Sequence, residues 1–153
     1  MKTLLVVFHT PSDNTSKMCN SVARAAKQYE AADFKVIIKT PFEANAEDVL
    51  NCHAIILGTT ENLGYMSGAL KDFFDRIYYP CLEKKQGLPV AAIIRAGNDG
   101  TGTQRALETI LTGLRWRWVQ GPLICKGNWN ENFLIECAEL SEGISIALEQ
   151  GMI

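Results

Sequence analysis

The stretch GTTENLGYMSGALKDFFD, residues 58–75, decides the fold. The apolar run His53 to Leu57 precedes it and reads as a buried strand. Gly58-Thr59-Thr60 then opens a polar loop with glycines at 64 and 68. Met66, Leu70, Phe73, Phe74 and Ile77 follow at helical spacing, and Pro80 ends the stripe. A strand, a glycine-bearing loop and a helix in that order form a rim unit of an open α/β sheet. Ligands bind such sheets outside the carboxyl ends of the strands.

On the amino-terminal side, Leu4 to Phe8 is a continuous apolar run suited to a strand covered on both faces. His9 to Ser16 is a loop by composition, and Met18, Val22, Ala25 and Tyr29 form the first helical stripe. Phe34 to Lys39 reads as a more polar strand, with Lys35 and Lys39, as an edge strand can be. Pro41 to Leu50 is a short acidic helical connection. On the carboxyl-terminal side come a strand from Pro89 to Ile94, the loop Arg95 to Gly102, and a helical face of Leu107, Ile110, Leu111 and Leu114. Pro122 to Cys125 reads as a last strand, and Leu134, Cys137, Ala138, Ser141, Ile144 and Leu148 as a last helix. Strict alternation predicts an α/β fold over a single domain, residues 1–153. The expected form is a doubly wound five-stranded parallel sheet of order 2-1-3-4-5 with helices on both faces.

The bulk chemistry narrows the function. Apolar residues make up 47% of 153, charged residues 21%, and the net charge is −2, which argues against a nucleic-acid surface. No apolar run approaches the roughly 20 residues of a membrane span. Leu4 to Phe8 is too short for a signal-peptide core, so a cytoplasmic chain starting at Met1 is expected. Cysteines 19, 52, 81, 125 and 137 are scattered without a C-x-x-C. They read as reduced thiols, mostly in the core, and no metal ligand set is expected.

In the expected topology the loops after strands one, three and four share one rim. The first offers Thr10, Ser12, Asn14, Thr15 and Ser16 where a helix begins, with Pro11 and Asp13 between them. Free N–H groups and the helix dipole there favour a phosphate. The same residues also serve as ordinary N-caps with no ligand. The second loop (Thr59, Thr60, Glu61, Asn62, Leu63, Gly64, Tyr65) and the third (Ala96, Gly97, Asn98, Asp99, Gly100) suit a flat heterocycle, because glycine lets the backbone approach ring atoms closely. Leu63 and Tyr65 are either covers for one ring face or plain surface residues. The chain has no G-x-x-x-x-G-K-[ST] and no G-x-G-x-x-G after strand one, so nucleotidase and dinucleotide readings fail. His9-Thr10 and Gly58-Thr59 stand where a phosphate-accepting receiver domain needs carboxylates.

These residues resemble the flavodoxin-like superfamily over nearly the whole chain. Thr10-Pro11-Ser12-Asp13-Asn14-Thr15 is similar to the phosphate loop T/S-x-T-G-N-T, with Asp13 at the glycine position. Gly58-Thr59-Thr60, Gly64-Tyr65-Met66-Ser67-Gly68 and Phe73-Phe74-Asp75 resemble the G-T-P-x-x-x-G-N-M-S-G-x-x-x-x-F-L-D motif, with Thr60 at the proline. That motif belongs to NAD(P)H:quinone oxidoreductases of the tryptophan-repressor-binding-protein type, alongside NADPH-dependent FMN reductases. Gly100-Thr101-Gly102-Thr103-Gln104 is similar to their G-G-G-Q segment. The resemblance implies non-covalent FMN, with phosphate on Thr10 to Thr15 and the ring against Thr60 to Tyr65 and Ala96 to Gly100. It also implies NADH or NADPH as co-substrate.

Within that resemblance two functions stay open, with a third beside them. A reductase needs an open ring face where nicotinamide and a small electron acceptor stack in turn. A carrier that docks on a redox protein usually shields the ring between aromatics and carries a larger charge of one sign. The third reading is an interaction module that binds FMN weakly. Tyr65 is the one evident shield, which with the charge of −2 favours the reductase. No side chain stands out as an acid or base, and hydride transfer needs none, because positioning carries most of it. His9 is read as a buried structural histidine, Arg95 as a surface salt-bridge former and Arg115 to Trp118 as a helix end and strand lead-in. Trp129 is left between overhanging the site and meeting a partner. A homodimer is the default expectation.

Overall fold

The computed structural model describes residues 1–153. The elements run β1 (Lys2–Phe8), α1 (Asp13–Lys27), β2 (Phe34–Lys39), α2 (Ala46–Asn51), β3 (Ala54–Asn62), β4 (Tyr65–Met66), α3 (Gly68–Cys81), β5 (Pro89–Ala96), α4 (Thr101–Leu114), β6 (Arg117–Trp118), β7 (Leu123–Lys126) and α5 (Asn132–Glu149). The sheet order is β2-β1-β3-β5, with β6 and β7 in turn occupying the position beyond β5. Every pairing among these strands is parallel. The α/β class, the doubly wound order and the polar edge strand β2 are as expected from the sequence.

Side-chain alternation along the strands divides the core into two layers. Leu5, Val7, Ile55, Leu57, Val90, Ala92 and Ile94 face α2, α3 and α4, where they meet Phe73, Phe74, Leu107 and Leu111. Leu4, Val6, Ala54, Ile56, Ala91 and Ile93 face α1 and α5, where they meet Met18, Val22, Cys137 and Ile144. The central strands are apolar on both faces because both faces are covered. Each fully buried Leu or Ile contributes about 2–3 kcal/mol of apolar transfer. No helix is long and apolar enough to cross a membrane. All five cysteines are free thiols, four of them buried.

The strand count departs from five, and the sheet has seven strands. The expected last strand, Pro122 to Cys125, is present as β7, and the lead-in before it contributes the extra short strand β6 beside β5. Val90 pairs with Trp118 and Ile93 with Leu123, so Ala91 and Ala92 face the longer segment Val119 to Pro122. The surplus residues cannot stay in register, and Pro122 has no N–H to donate, so the ladder breaks there. The other addition is β4. β3 runs beyond the sheet to Asn62 and folds back, pairing Glu61 with Met66 and Asn62 with Tyr65. Leu63 and Gly64 make the turn at φ 54° and 78°, the left-handed pair that a two-residue hairpin requires. The second loop is therefore a hairpin, built on the β-branched Thr59 and Thr60.

Two helix starts also move. The helix expected from Met18 begins at Asp13, because Ser12 and Thr15 form a reciprocal capping box. α4 begins at Thr101, directly after Gly100 at φ 84°. Both changes shorten the rim loops and bring helix N-termini to the site.

Candidate functional site at the carboxyl rim

β1, β3 and β5 are neighbours, so the loops after them lie side by side. Phe8 pairs with Gly58, and the His9 N–H donates to the Gly58 carbonyl at 3.0 Å. A β-carbon on Gly58 would come within 2.2 Å of the Phe8 ring, so glycine is needed there to let the ring lie over the strand.

The first loop is organised by its own cap. The Ser12 N–H donates to Thr15 Oγ1 at 3.0 Å and the Thr15 N–H donates back to Ser12 Oγ at 3.2 Å. Thr15 is buried, and its hydroxyl also lies 2.9 Å from the Ser12 carbonyl. These two side chains are thus engaged with each other. The N–H groups of Thr10, Asp13 and Asn14 make no hydrogen bond within the chain. They are donors without acceptors at a helix N-terminus, the arrangement that suits a phosphate group. Asp13 is exposed in the first turn, and its φ is not positive, so it occupies its position without backbone strain. Burial lowers the pKa of His9 from the ordinary histidine value. The ring is therefore predominantly neutral at pH 7 and supplies no fixed positive charge.

The second and third loops are joined. Thr59 is buried, and its Oγ1 accepts from the Ser67 N–H at 3.0 Å, fixing the hairpin base to the start of α3. Ser67 Oγ in turn accepts the Leu70 N–H at 3.1 Å and caps that helix. Thr60 Oγ1 donates to Asn62 Oδ1 at 3.0 Å. Glu61 reaches across to α4. Its Oε1 accepts the Gly100 N–H at 3.0 Å, and its Oε2 accepts the Thr103 N–H at 3.3 Å and the Thr103 hydroxyl at 3.1 Å. At the turn, a β-carbon on Gly102 would fall 2.1 Å from the Gly64 carbonyl oxygen, so the two backbones touch. Asn62, Leu63, Gly64 and Tyr65 are exposed, as are Gly97, Asn98 and Asp99, while Ala96 and Gly100 are buried. The Asp99 carboxylate accepts from the Thr101 hydroxyl.

The rim thus gathers all three loops, but it turns the side chains of Thr15, Thr59 and Glu61 toward the protein. Sequence reasoning missed Ser67, Gly102 and Thr103 as the groups that receive these loops. Ser67 stands three residues before Leu70 and carried a cap signal; the buried hydroxyl of Thr103 carried none. Arg95 forms no salt bridge. Its Nη1 donates to the carbonyls of Ala96 at 2.7 Å and Cys125 at 3.0 Å, and its guanidinium lies 5.1 Å from the Phe133 ring centroid and 5.8 Å from that of Trp129. Trp129 packs edge-on to Phe133 at 5.6 Å. Both side chains are committed within the fold. Several surface depressions lie away from the rim. One of about 250 Å³, lined by Phe74, Tyr78, Tyr79 and Ile110, contains no residue of the three loops.

An open doubly wound parallel sheet that gathers the loops after β1, β3 and β5 at one rim defines a flavodoxin-like fold. Residues 24–131 match the family described as NADPH-dependent FMN reductase, and the chain belongs to that family. A curated flavodoxin from Aquifex aeolicus (strain VF5) is 32% identical over 114 residues, 74% of this chain; the match spans about 60% of that relative's length. Among solved structures, the flavodoxin, WrbA-like protein from Agrobacterium tumefaciens superposes with a TM-score of 0.77 at 18% identity, covering 98% of this chain and 99% of its own. Megasphaera elsdenii flavodoxin superposes with a TM-score of 0.76 at 20% identity, covering 94% and 99%. At these identities the likeness to the solved structures concerns the fold.

Proposed function

We propose that this chain binds FMN at the rim of β1, β3 and β5 and acts as an NAD(P)H-dependent oxidoreductase with a small quinone-like or flavin acceptor. The N–H groups of Thr10, Asp13 and Asn14 would hold the phosphate. The hairpin Glu61 to Tyr65 and the loop Ala96 to Gly100 would bracket the ring. When bound, FMN supplies the hydride and electron chemistry; the chain supplies position.

The observation that carries the reductase reading is the composition of the ring walls. Tyr65, 39% exposed, is the sole aromatic in the three loops, and Trp129 is held against Phe133 and Arg95. Such walls would leave one ring face open for nicotinamide and acceptor to stack in turn. Of the carboxylates in the ring loops, Glu61 is bonded to Gly100 and Thr103 and Asp99 to the Thr101 hydroxyl; a hydride transfer governed by distance and orientation needs neither as acid or base. Family membership as an NADPH-dependent FMN reductase agrees with this reading. The one-domain reading of residues 1–153 rests on the single continuous sheet.

A second reading is favoured by the curated relative, which is named a flavodoxin: a carrier that exchanges electrons with a protein partner. The deciding experiment adds NADH or NADPH anaerobically to the FMN-loaded protein and then adds benzoquinone. Bleaching and recovery of the flavin absorbance support the reductase. Flavin that ignores both nucleotides yet is reduced by dithionite supports the carrier.

A further inference from the structure

We infer that Glu61 is a positioning residue that fastens the two ring-bracketing loops into one preassembled wall, mechanically separate from the phosphate loop. The inference rests on the FMN reading above and assigns a task to a side chain within it.

The strand pattern explains how Glu61 comes to this role. Odd-numbered residues of β3, among them Ile55 and Leu57, face the layer of α3 and α4. Because β3 runs past the sheet, that face continues to Glu61, two residues beyond buried Thr59. The side chain therefore leaves the strand over the first turn of α4 and not toward solvent. α4 needs a partner there, since its N-cap is Gly100, which has no side chain to offer. Glu61 supplies the cap from 39 residues away, one carboxylate oxygen on Gly100 and the other on Thr103. A carboxylate also complements the positive end of the helix dipole. The contact of Gly64 with Gly102 repeats the join at the hairpin turn. The hairpin is thus held to α4 at base and tip, and its displacement requires displacement of the third loop. The side chains of the first loop take no part in this tie, since Ser12 and Thr15 bond to each other and the loop meets β3 through the backbone bond of His9 to Gly58, ahead of the hairpin.

Two substitutions and two flavins test the assignment. Glu61→Ala removes the tie, and Glu61→Gln keeps one acceptor oxygen. Riboflavin carries the ring without the phosphate. Glu61→Ala is expected to raise the dissociation constants of FMN and riboflavin by the same factor, about tenfold, from the loss of charge-assisted hydrogen bonds. Glu61→Gln should fall between it and the parent. In the flavin-free protein, amide hydrogen exchange should quicken together at Gly100, Thr103 and the hairpin Asn62 to Met66 in Glu61→Ala, with Val6 and Ile38 unchanged. Coupled quickening supports the tie even where the parent protein takes up no flavin, an outcome that defeats the FMN reading alone. Quickening confined to Gly100 and Thr103, or unaltered affinity for both flavins in a parent that binds them, overturns the inference and leaves Glu61 a plain helix cap.

Discussion

The Gly64 carbonyl oxygen lies against Gly102, where any β-carbon would come within 2.1 Å of it. The oxygen is a backbone atom and a β-carbon is fixed by the backbone that carries it, so neither can rotate away. Gly102→Ala must shift the hairpin or the first turn of α4, at an expected cost of about 1–3 kcal/mol by analogy with overpacking elsewhere. Gly68→Ala is the control, since its β-carbon meets open space in the first turn of α3 and should be neutral or slightly stabilising. Urea denaturation of the flavin-free proteins measures both, and equal midpoints for the two variants would refute the contact.

Leu63 is fully exposed at φ 54°, a conformation that an apolar side chain adopts against its own preference. Leu63→Asn relieves that strain and should stabilise the flavin-free protein by about 0.5–1 kcal/mol. If Leu63 covers a ring face, the same change weakens FMN binding. Opposite signs in denaturation and in flavin titration are the expected result; stability gained with affinity unchanged would remove Leu63 from the ring wall.

Asp13 sets two demands against each other. Its carboxylate in the first turn of α1 favours the helix, by about 0.3–1 kcal/mol in such positions. It also stands where the N–H groups of Asp13 and Asn14 would receive a phosphate. Asp13→Asn should therefore lower the stability of the flavin-free protein slightly and tighten FMN while leaving riboflavin unaffected. Isothermal titration with the two flavins gives the comparison. Equal gains for both would show that the phosphate sits elsewhere.

His9 and His53 bring an acid-side loss of stability. Burial is the leading cause that lowers both, and for His53 the charges of Lys85, the amino terminus and Lys2 add to it. The Thr3 N–H donates to His53 Nδ1 at 3.0 Å, so that nitrogen acts as an acceptor in the neutral ring. A folded-state pKa below the unfolded value of about 6.5 means the unfolded chain binds the proton first as pH falls. Stability should be at its full value above about pH 6.5 and decline from there toward the lowered folded values. His53→Asn, which keeps an acceptor near Nδ1, should flatten part of the decline in urea midpoint between about pH 7 and 5. An unchanged slope would contradict the assignment.

The sheet order was readable because its strands carry an unambiguous pattern. Val6, Ile56 and Ile93 fall in short apolar runs bounded by turn residues, and nothing else in the chain competes with them. The hairpin was not readable, because its turn is Leu63-Gly64 and lacks the usual Asn-Gly signal for two left-handed residues. The start of α1 was misplaced for a related reason. Ser12 to Ser16 is polar enough to read as loop, and while these residues read as N-cap candidates, only the reciprocal geometry of Ser12 and Thr15 shows which of them makes the cap. At the rim, the alternation of strands and helices already implied that the loops after the first, third and fourth strands lie together, as the sheet order has them. The direction of each side chain did not follow from it: Glu61 and Thr59 face inward through strand register continued past the sheet, and Arg95 is claimed by carbonyls and rings distant in sequence.

The most direct measurement is a spectroscopic titration of the flavin-free protein with FMN, followed by anaerobic addition of NADPH and of NADH. The account predicts stoichiometric uptake at micromolar protein, then loss of the flavin's visible band with at least one nucleotide and its return on adding benzoquinone. Failure to take up FMN, with the protein folded by circular dichroism, would contradict the central claim.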